Sequence, residues 1–162
     1  MYKRQHNILV KKNYSFKKPL IIYQITNEKV SNTNINFQLK FELEENSSIK
    51  IINLFDDNSK KNFINNLFNF NLGKDAILKN YKIDKKSNTN IKYDYSSITQ
   101  KENSISETFI FSSGSDYIKN EVSCNLEGQY SSAFINGIHL LSKNKHHEIR
   151  TNTKHLLSLI HI

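Results

Sequence analysis

Four histidines, His139, His146, His147 and His155, crowd one short stretch beside Glu148. Imidazole and carboxylate together are the ligands of zinc and its neighbours, but a zinc site needs about three of them converging. On a strand, His146 and His147 point to opposite faces, as do His147 and Glu148. The spacing also lacks the His-Glu-x-x-His pair of a helical zinc site. The expectation is surface or turn imidazoles and no metal site. Cys124 is the single cysteine. Alternation along a strand puts it on the same face as Val122 and Leu126, so it reads as a small core residue rather than a reactive thiol. Glu44-Glu45 and Asp56-Asp57 could be the paired carboxylates of a β-helical lyase or glycosidase. The chain has no Trp to make a sugar platform and no Arg beside these acids, so they read as solvated turn residues. The four glycines form no phosphate-binding loop, and no nucleophile-elbow motif is present. No catalytic constellation emerges, and the chain is not expected to be an enzyme.

The net charge of +8 invites a nucleic-acid reading, since Lys neutralises phosphates and releases counterions. The lysines are scattered, however (Lys11, Lys12, Lys17, Lys18, Lys60, Lys61, Lys85, Lys86, Lys143, Lys145), with acids between them. Arg, the better fork for phosphate and guanine, is limited to Arg4 and Arg150. A nucleic-acid partner is therefore not expected. Neither is a membrane partner, because there is no long apolar run and no amphipathic helical face. The N-terminus has no apolar export segment, which points to the cytoplasm. The 23 Asn, 21 Ile and 21 Lys are residues with A/T-rich codons, so much of this excess reflects genome composition.

The elements that must position any site are strands almost from end to end. Residues 34–44 alternate polar and apolar, setting Ile35, Phe37, Leu39, Phe41 and Leu43 on one face. Further strands are predicted at 21–26, 49–55, 62–72, 76–83, 90–98, 105–112, 117–126, 129–141 and 147–154, with polar or Gly-containing turns between them. Hairpin dipeptides are nearly missing, and Asn136-Gly137 sits inside a strand pattern rather than between strands. Polar turn, small residues, alternating strand and short turn recur as a loose unit. The expected fold is all-β, a right-handed parallel β-helix with an inward ladder of Ile, Leu and Phe. Residues 1–19 are expected to be irregular.

Residues 107–155 carry a more specific pattern. It consists of Lys119-Asn120-Glu121, Leu126-x-Gly128, Asn136-Gly137 leading into Leu140-Leu141, and a closing His146-x-Glu148-x-x-Thr151-x-x-x-His155. This resembles the SufB/SufD core family of SUF iron–sulfur cluster assembly, in its SufD form, with Glu148 in place of the commoner Asp. Phe63-Ile64-Asn65-Asn66 and Ala76–Tyr81 resemble the preceding coils, so the resemblance covers about residues 20–156. It implies a β-helix and a non-catalytic scaffold role beside a SufB-like paralogue and a SufC-like ATPase. It also implies an iron–sulfur cluster associated with the whole complex, none being bound by this chain itself. Asn120, Glu121, Gly128, His146, Glu148, Thr151 and His155 are the family-motif positions it singles out, without roles. A carbohydrate-active β-helix protein is the alternative reading.

The ends depart from that pattern. Leu157–Ile162 is the translation of a transposon end used in sequencing adapters, and Met1–Gln5 matches its reverse complement read from a GTG start. The expectation is an incomplete core, 20–156, between an adapter-derived start at 1–5 and tail at 157–162, which the codons at both ends would test. A solenoid lacking its cap exposes an apolar end, so the isolated chain is expected to aggregate or stay partly unfolded.

Overall fold

The computed structural model describes residues 5–26, 29–57, 61–84, 91–142 and 144–156. The two suspected adapter segments fall almost wholly outside this range. The described chain is all strand: β1 (Gln5–Val10), β2 (Leu20–Thr26), β3 (Asn34–Leu43), β4 (Ser48–Asp57), β5 (Phe63–Leu72), β6 (Ile77–Asp84), β7 (Ile91–Gln100), β8 (Ile105–Ser112), β9 (Tyr117–Leu126), β10 (Ser132–His139) and β11 (His146–His155). Odd-numbered strands stack in the order β1-β3-β5-β7-β9-β11 and even-numbered ones in the order β10-β8-β6-β4-β2. Every ladder is parallel. Each coil contributes one strand to each sheet, giving a β-solenoid of about five turns.

The apolar ladder forms as alternation predicts at the N-terminal end. Leu39, Phe41 and Leu43 stack beneath Phe68, Phe70 and Leu72, and the Phe41 and Phe70 rings lie 5.1 Å apart and nearly parallel. Cys124 continues that column above Ile98, fully buried. Stacking equivalent residues in this way removes both faces of each rung from water.

A repeated turn closes each coil after the odd strand. Asn13, Asn46, Asp75, Asn103 and Tyr130 all have positive φ. The amide of each of the first four donates to a carbonyl in the next coil: Asn13 to Glu45, Asn46 to Lys74, Asp75 to Glu102 and Asn103 to Gln129. Asn and Asp tolerate this left-handed conformation because their short polar side chains bond locally.

Two expectations are corrected. The segment 1–19 is not wholly irregular: Gln5–Val10 adds β1 to the edge of β3, and Ser15 bridges Ser48. Ile8 and Val10 alternate with exposed Asn7 and Leu9, and an available parallel edge is enough to order so short a run. The inward ladder of Ile, Leu and Phe is also interrupted. On β6 and β7 the inward positions include Asn80, Lys82, Asp84, Lys92, Asp94, Ser96 and Gln100, all buried.

Candidate functional site

That interruption creates a polar centre inside the solenoid. The parallel neighbours on both sides fix the register of β6 and β7, and a slip of one residue would turn every side chain to the other face. With the register held, Lys82 and Asp84 from one sheet face Lys92 and Asp94 from the other. Lys92 Nζ lies 3.3 Å from Asp94 Oδ2 and 3.7 Å from Asp84 Oδ2, and 4.1 Å above the Phe55 ring. Lys82 Nζ sits 4.7 Å from the centre of the Phe68 ring.

Two ammonium groups and two carboxylates balance in charge, as buried charges must. Burial pushes Lys82 down to about 8, with Lys92 adding to the shift and Asp94 opposing it. Burial works against ionisation of Asp94 as well. There, Lys92, Lys82 and the amide of Asn66 outweigh it and hold the carboxyl below its usual range. Asn53 donates to Asn80 at 2.8 Å on the adjoining columns. The cavity enclosed by these groups is about 10 Å³, the room one water needs. At the end of β7, buried Gln100 is satisfied from both sides. Its amide donates to the Ser104 and Ser132 carbonyls, and its carbonyl accepts from Ser106.

The family-motif residues do not converge on one point. Asn120 is buried and lines the polar centre. Glu121 points outward and accepts the Tyr93 hydroxyl at 3.1 Å, and burial together with that bond raises the Tyr93 pKa. Gly128 lies in a turn where a Cβ would meet the Glu102 backbone nitrogen at 1.9 Å. His146 stacks on Tyr117 outside the barrel at 5.1 Å, and Glu148 shares that outward side. Thr151 and His155, at the solenoid's edge, have the inward phase of β11 yet are exposed.

The other candidates separate in the same way. Glu44 accepts the Lys12 amide, Glu45 pairs with Lys12 at 2.8 Å, and Asp56 accepts the Tyr23 hydroxyl. Glu44 and Glu45 thus meet Lys12 in one turn, and Asp56 stands apart from them near the end of β4. Burial drives the Cys124 thiol up to about 11, leaving almost no thiolate at neutral pH. His139 and His147 correct the expectation of surface imidazoles: both are part-buried and turn inward. Among the described residues no three His, Cys, Asp or Glu groups gather as metal ligands, and no helix is long and apolar enough to cross a membrane.

The polar centre left a trace in the sequence that an apolar-ladder reading passes over. In Leu78-x-Asn80-x-Lys82-x-Asp84 and Lys92-x-Asp94-x-Ser96, alternation is intact while its inward phase has become polar.

Among known proteins, residues 25–158 match the family described as SUF system FeS cluster assembly, SufBD core domain. No curated protein and no solved structure matches the chain.

Proposed function

The chain belongs to the SufBD core family of the SUF iron–sulfur cluster assembly system, and from that membership we propose that it is a non-catalytic scaffold subunit of the SufD type. It works in a cytoplasmic complex with a SufB-like paralogue and a SufC-like ATPase, not with nucleic acid or a membrane. The family match over residues 25–158 carries this reading. The enclosed polar centre favours scaffold over catalyst. Its charges are compensated internally and its cavity of about 10 Å³ admits no nucleotide or sugar. ATP hydrolysis then falls to the SufC-like partner, and the cluster is cargo of the assembled complex. The SufD form rests on the closing His146-x-Glu148-x-x-Thr151-x-x-x-His155. The test is co-expression of the chain with the SufB-like and SufC-like proteins of the same genome. Co-purification of all three, with iron and acid-labile sulfide in the complex, is the expected result. A chain recovered without either partner rejects the proposal.

A further inference from the structure

His139 of β10 and His147 of β11 face each other across the last described rung of the interior. His139 stacks over Ser112 and Asp84, and His147 over Ile118 and Lys92, so both occupy inward columns. Their ring centres are 5.5 Å apart, with the planes at 63°. His147 Nε2 lies 2.9 Å from the Ser115 carbonyl oxygen. A carbonyl accepts only, so Nε2 carries the proton and Nδ1 of the neutral ring keeps its lone pair. That Nδ1 is buried without a hydrogen-bond partner, and so are both ring nitrogens of His139.

Three unpartnered imidazole nitrogens in one place are costly, because a buried polar atom without a hydrogen bond has given up its solvation for nothing. A histidine whose far N–H is held by a backbone carbonyl is oriented as metal-binding imidazoles are. Two imidazoles bound to one ion at about 2.0–2.1 Å, with a near-tetrahedral angle, place their ring centres about 5–5.5 Å apart. The observed separation agrees.

We propose that His139 and His147 form a two-imidazole site for a divalent first-row transition-metal ion. Nδ1 of His147 is one ligand and a ring nitrogen of His139 the second, with the remaining positions open to water or an exogenous ligand. Neutral nitrogen ligands select this class of ion over Mg²⁺ or Ca²⁺. The site stands on these side chains alone and is independent of the scaffold assignment.

The experiment is a titration of the soluble, folded fraction of the 162-residue chain, isolated by size exclusion, with Co²⁺, read by its visible absorption. One equivalent should bind, with affinity falling at least about tenfold in His139→Ala and in His147→Ala but unchanged in His6→Ala. Absence of binding, or binding that survives His139→Ala, overturns the site. Should either variant fold poorly, ¹⁵N-histidine spectra of the unmutated chain decide the matter. Zn²⁺ should shift the ring nitrogens of His139 and His147, and rings that stay unshifted overturn the proposal.

Discussion

Lys82 shows how much one buried side chain can set the pH response of this fold. Its folded pKa, about 8, lies below the ordinary lysine value, so the unfolded chain holds a proton that the folded chain has lost. Between pH 8 and about 10 the unfolded state therefore binds more protons, and stability rises with pH. The full effect is about 3 kcal/mol. Urea unfolding followed across that window should show a more positive slope with pH in the unmutated chain than in Lys82→Met, the raised Cys124 thiol opposing the rise above about pH 9 equally in both; equal slopes would refute the burial argument. Gly128 acts by space rather than charge. Gly128→Ala forces a methyl group into the Glu102 backbone at 1.9 Å, whereas at Gly73 the nearest backbone atoms stand at 2.9 Å. Gly128→Ala should cost about 3 kcal/mol or more, Gly73→Ala clearly less. Denaturation midpoints of the two variants give the comparison, and the reverse order would contradict the packing described for this turn.

At the scale of the element, the turn after each odd strand does the most to hold successive coils in step. Lys12, Glu45, Lys74 and Glu102 occupy equivalent turn positions, so opposite charges stack, with Lys12–Glu45 at 2.8 Å and Lys74–Glu102 at 3.0 Å. The Lys12 hydrogen bond and charge lower the Glu45 pKa, and those of Glu102 raise that of Lys74. Both pairs are exposed, so they contribute more to register than to stability. The left-handed residue next in the turn is Asn or Asp in four coils and Tyr130 in the fifth. A Tyr at positive φ is strained and, at 80% exposure, recovers little by packing. Tyr130→Asn should therefore stabilise the chain by about 0.5–1 kcal/mol. A lower melting temperature in this variant would show that the Tyr130 side chain makes a contribution its exposure conceals.

For the whole molecule, the consequence of stacked parallel coils is that, among the described residues, each end of the stack presents a pair of sheet edges. β2 ends the even-numbered sheet, and its Ile21 and Ile25 are 57% and 65% exposed. Exposed apolar edge strands template pairing with other chains, and lysine blunts them. The double variant Ile21→Lys with Ile25→Lys should self-associate less than the parent at equal concentration, as measured by light scattering behind size exclusion. Unchanged scattering would move the source of association away from this edge.

Much of this architecture could be read from the residues alone. The bounds of β3 to β9 follow from alternation between polar turns, usually to within two residues, because a period of two allows a strand to present only one set of side chains to a core. The buried place of Cys124 came by the same route. The pattern around residues 107–155 was specific enough to indicate the family, since it names residue types at fixed spacings. What alternation cannot supply is distance across the interior. Coils here differ in length, with partners from 26 to 33 residues apart, so neither the meeting of Asp84 with Lys92 nor that of His139 with His147 can be counted off along the chain. Those meetings follow from the register of two parallel sheets closed around one core. Tertiary structure alone decided that polar inward residues would find partners of opposite charge, and that two histidines expected on the surface would face each other inside.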